Sequence, residues 1–538
     1  MSSVTASTAS TEPPHYLMWF RRDLRSHDNT ALAALCELAI QNKATVSAVF
    51  FITPEQWYEH DVSLAQVDLI GRTLPLLAND LQEQLNIPLQ VSIATTFNDC
   101  IEEITALYKS ETITHVAANY EYEVNELARD ELLTKALAKA NIEFTRYHDQ
   151  CLLPPKTVTT NDDTMYQVFT PFYKKWQAIL DASPPNLHNA SKVTATSSNA
   201  ASKPLAETLA TIIKLHEQTL TTYKKLTQQT DEDVQEVLSH THEDYPAGEL
   251  AACHRLDNFV ADDINDYDIS RDRPALDATS HLSAYLTIGA ISPRRCYLQA
   301  QKALHAAANN DNNDNNDNND NSSSENKNSS TDIQRWISEL AWRDFYRHVI
   351  FERPDIVRHK AYKVETDTKI DWSYDADEFA LWCAGKTGVP LVDAAMRCLH
   401  TTGFMPNRLR MVTAMFLTKD LLIDWRLGER YFMQQLIDGD FASNNGGWQW
   451  SASTGTDSAP YFRIMNPFSQ GKTHDKEAEF IKQWLPELKD IPASILHDEQ
   501  KLIKALSKGG QFAQVDYPTP MVDHKAARLA TIAAFKGE

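Results

Sequence analysis

The sequence predicts two unlike halves: an α/β N-terminal domain built on a doubly wound parallel sheet, and an all-α C-terminal domain. Three observations predict this. The chain has 538 residues, too many for one ordinary core, and calls for two to four structural units. Between His15 and His148 short β-rich runs alternate with segments of helical period, the pattern of a parallel sheet with helices on both faces. From Leu250 onward the β-rich runs stop, and apolar residues recur at helical spacing, as in Trp336, Leu340, Phe345 and Val349.

The elements follow in order. Residues 1–14 form a Ser/Thr-rich stretch with no basic residue and no apolar run. They read as a disordered tail, and neither a secretion signal nor an Arg-rich transit peptide is expected. The α/β domain covers residues 15–148, with candidate strands Tyr16–Phe20, Thr45–Ile52, Leu89–Ala94, Thr114–Tyr120 and Ile142–Tyr147 and candidate helices Leu64–Leu85 and Val124–Ala140. Asp28-Asn29 is a credible cap for a helix over Thr30–Gln41. No G-x-G-x-x-G follows the first strand, so a dinucleotide fingerprint is absent from this half. Residues 149–246, rich in Pro, Thr, Ser and Asn, read as an interdomain connection with a few helical turns. The helical domain spans residues 247–538. Inside it, 309–330 contains four Asn-Asn-Asp triplets and a Ser/Asn run; with no apolar side chain to bury, it is expected as a disordered insertion. The glycines and spacing of a calcium loop are missing there.

Composition narrows the function classes. No apolar run approaches the roughly 18 residues of a membrane span, so no integral membrane protein is expected. The seven cysteines are scattered and include no C-x-x-C pair, which argues against a disulfide framework or zinc site and fits a reducing cytoplasm. A net charge of −22 argues globally against a phosphate-backbone binder. Residues 331–430, however, hold 15 basic and 15 acidic side chains, so a local basic face is compatible with the sequence. Eight of the 11 tryptophans lie beyond residue 330, where core packing and interface anchoring both account for them.

Four short segments carry candidate chemistry. Asp438-Gly439-Asp440 through Asn444-Asn445-Gly446-Gly447-Trp448-Gln449-Trp450 packs carboxylates, carboxamides, glycines and indoles together. It fits either a loop that reads a polar heterocycle edge or a capped helix junction. Thr279-Ser280-His281-Leu282-Ser283 offers hydroxyls near a helix start, suited to phosphate oxygens or to ordinary capping. Glu339, Trp342, Arg343 and Tyr346 share one helix face by their spacing. Asn407-Arg408-Leu409-Arg410-Met411 supplies forked donors for phosphate or carboxylate. Aromatics beside arginines suit an unstacked nucleobase, and solvated ion-paired helix faces are the alternative for each segment alone.

Taken together, these segments and the opening Trp19-Phe20-Arg21-Arg22-Asp23-Leu24-Arg25-Ser26-His27-Asp28-Asn29 stand in the same order as in the DNA photolyase/cryptochrome family. The chain resembles that family from Tyr16 to Ala534 and is most similar to its bacterial class I cyclobutane pyrimidine dimer (deoxyribodipyrimidine) photolyases. The resemblance implies an FAD-binding helical domain and light-driven repair of dimer-containing DNA, by a carbon-carbon lyase that acts as a monomer. It places Tyr267, Thr279, Ser280, His281, Leu282, Ser283, Arg410, Asp438, Gly439 and Asp440 at FAD, with Arg410 and Asp438 flanking the isoalloxazine and Asn444 facing flavin N5. It places Arg271, Glu339, Trp342, Arg343, Tyr346, Asn407, Arg408, Met411, Trp450 and Gln470 at the flipped dimer or its phosphates, with Glu339 as the catalytic carboxyl. Trp448, Trp425 and Trp372 match the tryptophan relay that reduces the photoexcited flavin. Asn125 and Glu126 match contacts of a 5,10-methenyltetrahydrofolate antenna in the first domain.

Three positions depart from the family pattern: His281 stands where Arg is common, Phe404 where Trp is frequent, and Pro406 where His is frequent. Two rivals belong to the same fold. A six-four photolyase is disfavoured because its histidines are absent at Asn407 and Met411, and a cryptochrome photoreceptor because Asn444 is kept and the chain ends soon after Phe535.

Overall fold

The computed structural model describes residues 13–111, 113–194, 204–314 and 322–537. The expected tail 1–14 therefore lies almost wholly outside the described residues. Five strands form one parallel sheet in the order β3-β2-β1-β4-β5: β1 (His15–Phe20), β2 (Thr45–Ile52), β3 (Leu89–Ile93), β4 (Ile113–Asn119) and β5 (Glu143–Tyr147). Met18 of the central strand pairs with Ala48 on one side and Ala117 on the other. Every residue of β1 is buried, as a parallel strand covered on both faces requires. The expected cap forms: the Asn29 side chain accepts from Leu32 N at 3.1 Å and starts the helix Thr30–Asn42.

The connection is more ordered than its composition suggests. It carries the helices Phe169–Ala182, Leu205–Thr227 and Asp231–Asp244. Phe169, Phe172, Trp176 and Leu180 recur at helical spacing and are all buried. The Tyr223 ring is fully buried against Val62, Leu64 and Val67 of the α/β domain. Scattered Pro, Ser and Thr hide this periodicity in the sequence. The segment 309–330 also departs from expectation, because one helix runs to Asp314 and another, Ser322–Glu352, begins inside it. Once a helix is nucleated by buried turns, extending it adds one hydrogen bond per residue fixed, and polar residues without a core can join it. Residues 315–321 lie outside the described residues.

The remainder is helical, and the two halves lock through the opening motif. Arg25 donates to Gly289 O at 3.0 Å and pairs with Asp149 at 2.5 Å. Arg294, from the helical half, pairs with Asp28 at 3.0 Å and Asp149 at 2.7 Å. Gly289 sits at φ +73°, and a Cβ there would come 2.2 Å from Arg22 O, so only glycine admits this approach. Among the described residues no helix is long and apolar enough to cross a membrane.

Candidate active site

The 438–440 turn is held from three sides. Arg410 Nη2 donates to both Asp438 oxygens at 2.9 and 2.8 Å, while its Nε donates to Met405 O at 2.7 Å. Asp440 caps the Phe441–Ala452 helix by accepting from Ser443 N at 3.0 Å, and it receives Arg347 Nη2 at 2.5 Å. Burial pushes the Asp440 carboxyl up, but Arg347 and then Arg343 outweigh it and hold the group well below the usual carboxylate range. From the α/β domain, Ser63 Oγ donates to Leu436 O at 2.8 Å and Gln66 Nε2 to Gly439 O at 3.0 Å. Ser63, Gln66 and Arg347 thus position the turn, and single-sequence reasoning misses them because their partners are main-chain oxygens or lie about 90 or more residues away.

Asn444 is half-buried one turn into that helix and donates its amide to Glu429 O at 2.9 Å. Trp448, a further turn on, is 2% exposed. Its indole lies on Gly428 of the Trp425–Gln435 helix, where a Cβ would come 2.1 Å from the ring. Trp425 is wholly buried and Trp372 is 9% exposed, so the three indoles include two enclosed rings and one near the surface. The indole nitrogens of Trp425 and Trp372 both donate to Asp367 Oδ1 at 3.1 Å.

The hydroxyl run forms a loop ahead of the Ser283–Ile288 helix, whose cap position, Leu282, makes no side-chain bond. Thr279 and Ser280 are half-buried and are not used as caps. His281 departs from its expected cofactor role. At φ +47° its Nδ1 meets the Tyr245 hydroxyl at 3.0 Å and its Nε2 meets Asp277 at 2.6 Å. Both ring nitrogens are engaged, so His281 shapes the loop and offers no donor to a phosphate.

On the rim, Arg271 pairs with Glu339, Arg335 lies 3.5 Å from Glu339, and Arg408 and Arg271 both meet Asp272. Asp272 is the link the sequence did not single out. Asn407 is exposed, and Met411, Trp450 and Gln470 are half-buried. Gln470 Oε1 and Arg408 Nε are buried atoms without a protein partner, and Trp450 makes no ring contact among the described residues. Two expected contacts are drawn elsewhere. Arg343 donates to Leu286 O at 3.1 Å and to Gln150 O, so it braces the domain junction and does not reach the rim. Trp342 stacks on Phe169 with centroids 3.6 Å apart and lies 5.5 Å from the Tyr346 ring, so one of its faces is taken by a protein ring while the side chain stays half-buried. Tyr346 in turn lies against Gly446.

A second cleft opens at the carboxyl ends of β1 and β2, lined by Arg22, Phe51, Trp57, His60, Glu126 and Arg129 among others. Glu126 is buried, its Oε2 lacks a protein partner, and His60 bridges it at 3.5 Å to Asn125 at 3.2 Å. Burial, then repulsion from Glu123 and Glu121, raises the Glu126 carboxyl to about 8. Burial and the adjacent Arg22 lower His60 to about 4.

Comparison with known proteins fits this geometry. The profile of the FAD binding domain of DNA photolyase matches residues 336–537, and the DNA photolyase profile matches residues 16–190. Deoxyribodipyrimidine photo-lyase of Escherichia coli is 41% identical over 97% of this chain and 98% of its own. A bacterial class III photolyase of Agrobacterium tumefaciens superposes with a TM-score of 0.76 at 28% identity, covering 99% of this chain and 100% of that one. An archaeal photolyase of Sulfolobus tokodaii, solved with two FAD molecules, superposes with a TM-score of 0.70 at 27% identity, covering 97% and 100%. With relatives of this identity aligned along almost its entire length, the chain belongs to the DNA photolyase family.

Proposed function

We propose that this chain splits cyclobutane pyrimidine dimers in DNA under blue light, with FAD held in its helical half. The observation that carries the reading is the start of the Phe441–Ala452 helix. There the Arg410–Asp438 pair, Asn444, the buried Trp448 and the half-buried Trp450 follow one another within a few turns. A flavin site, an electron relay and a wall for an unstacked base meet at one place. The residues fit FAD: Trp448 Nε1 is a buried donor without a protein partner, and the Thr279 and Ser280 hydroxyls are not spent on capping.

In this reading Arg410, Asp438 and Asn444 would hold the flavin ring and Thr279, Ser280 and Ser283 would receive the phosphates, with Tyr267, Leu282, Gly439 and Asp440 completing the pocket. When bound, reduced FAD supplies the electron that opens the cyclobutane ring. Glu339 hydrogen-bonds the pyrimidine edge, where added negative charge on a carbonyl oxygen strengthens the bond as the ring splits. Arg271, Arg408, Asn407, Met411 and Gln470 line the path of the flipped dimer, and Trp450 stacks on it. Two covalently joined bases pair poorly and cost less to flip, which favours the lesion over intact DNA. The protein works as a monomer, and its free thiols suit a reducing cytoplasm.

The cleft at Asn125 and Glu126 takes the antenna, for which 5,10-methenyltetrahydrofolate is the first choice: a protonated Glu126 donates to a pterin edge as a carboxylate cannot. The aromatic lining and the second FAD of the Sulfolobus tokodaii relative favour a flavin as the other candidate. Extraction of the bound chromophores and chromatography against folate and flavin standards separates the two.

The function itself is tested by illuminating purified, reduced protein with oligonucleotides carrying either a cyclobutane dimer or a six-four product. Flavin bands together with light-dependent recovery of pyrimidine absorbance on the first substrate alone support the reading. Recovery on the six-four product, or on neither, overturns it in favour of one of the rivals.

A further inference from the structure

Asp367 ends a short turn, Val364–Asp367, at the outer side of the tryptophan series. Its Oδ1 accepts the indole N–H of both Trp372 and Trp425 at 3.1 Å. Its Oδ2 receives Arg426 Nη2 at 2.7 Å, and the same guanidinium contacts Asp424 at 3.1 Å and His359 O at 2.7 Å. Arg426 also lies over the Trp425 ring, 4.5 Å from its centroid. The carboxylate is 12% exposed. The titratable and charged groups nearest to it are Arg426, Asp424 and, through Asp424, the Tyr374 hydroxyl at 2.6 Å.

A tryptophan that loses an electron becomes a cation whose N–H is strongly acidic, so the partner of that N–H decides where the proton goes. At Trp372, as at Trp425, the partner is the Asp367 carboxylate already in hydrogen-bond contact, so the proton acceptor is shared and other features must set the direction. What differs between the two rings is the charge around them. A guanidinium over Trp425 repels a positive ring, whereas no cation lies over Trp372 among the described residues.

We propose that Asp367 is the proton acceptor of the outer relay, and that the Asp367–Arg426 pair drives the electron vacancy outward from Trp425 to Trp372. The inference rests on the relay reading of Trp448, Trp425 and Trp372. One electron passes from Trp372 to oxidised Trp425, which has given its own inward through Trp448 to photoexcited oxidised FAD, the one-electron oxidant. The Trp372 N–H bond breaks and an O–H bond forms at Asp367 Oδ1. The products are a neutral indole radical and a carboxylic acid, so one electron has left the pair and no proton has left it. When an external thiol reduces the radical, the proton returns from Asp367. Because charge recombination must then return a proton to the indole as well as an electron, the separated charges live long enough for that thiol to act.

Time-resolved absorption of the FAD-loaded protein without DNA tests this, because it distinguishes the cationic from the neutral indole radical. Asp367→Asn keeps an oxygen for the two indoles but removes the charge and the basicity. It should leave the radical in its cationic form and shorten the charge-separated state about tenfold, the order of change expected from removing one nearby charge. Asp367→Glu should restore the neutral radical, with a slowing in heavy water. Arg426→Gln should leave more of the vacancy on Trp425. Deprotonation at the parent rate in Asp367→Asn would overturn the proposal by making water the acceptor. Trp425→Phe separates the two claims. If it abolishes radical formation while Asp367→Asn behaves like the parent, the relay stands and the role of Asp367 falls; if radicals form unchanged in Trp425→Phe, the relay reading itself fails.

Discussion

Glu126 is buried beside Glu121 and Glu123. Because burial and then those neighbours raise its pKa to about 8, ionising it opposes folding. The protonated group is tolerated below its ordinary range, and the penalty grows as pH rises from about 4.5 towards 8. Glu126→Gln should therefore raise the urea midpoint, and by more at pH 8 than at pH 5; equal gains at the two pH values would contradict the protonated state. Trp450 is tested differently. Base–aromatic stacking is worth ~1–3 kcal/mol, so Trp450→Ala should weaken binding to dimer-containing DNA about tenfold to a hundredfold while leaving undamaged DNA nearly unaffected in a filter-binding or anisotropy titration. Equal losses on both would make Trp450 a structural residue. At this scale the sequence located the groups better than their partners. Spacing put Glu339 and Arg343 on one helix face, yet Glu339 pairs with Arg271 and Arg343 turns to Leu286 O. Spacing along one helix carries no information about a carbonyl contributed by another element.

At the scale of elements, the Phe441–Ala452 and Trp425–Gln435 helices meet where Trp448 lies on Gly428. Gly428→Val would place side-chain atoms inside the indole. It should cost ~1–3 kcal/mol by overpacking and slow photoreduction of the flavin, with damaged-DNA affinity unchanged; thermal unfolding and steady illumination check the two effects. A variant with parental photoreduction would show that the position of Trp448 does not govern the relay. The regular elements were legible where one period dominates, as in β2 and the Thr30–Asn42 helix with its Asn29 cap. The Phe169–Ala182 and Leu205–Thr227 helices were not, because Pro and Thr flank or punctuate apolar spacing that only tertiary packing makes visible. The ends of the helices that reach into 309–330 escaped for the converse reason: nothing in that polar segment signals helix except what precedes and follows it.

Across the whole molecule, the opening Trp19–Asn29 motif acts as the junction between halves, although the sequence marked it only by resemblance and by its Asp28-Asn29 cap. Arg25, Arg294, Asp28 and Asp149 form a buried charged network that crosses from the sheet to the helical domain. Removing one partner of such a network strands the others in a dry interior. Arg294→Ala should cost roughly 3–5 kcal/mol and lower the unfolding midpoint together with FAD retention. An unchanged midpoint would mean that the halves hold together without this network. The junction also reaches the chemistry, since Gln66 and Ser63 of the first domain bond the main chain of the turn that carries Asp438. Light-driven splitting of a dimer at the helical rim, with Glu339 touching the lesion, is the central proposal. The most direct measurement is the number of dimers repaired per absorbed photon, with fully reduced flavin and saturating DNA carrying a single dimer, in the parent and in Glu339→Ala. The expected result is repair in light and none in darkness for the parent, and a several-fold lower yield in Glu339→Ala with FAD content and DNA affinity largely kept. Repair that proceeds in darkness, no repair in light, or an equal yield in the variant would contradict it.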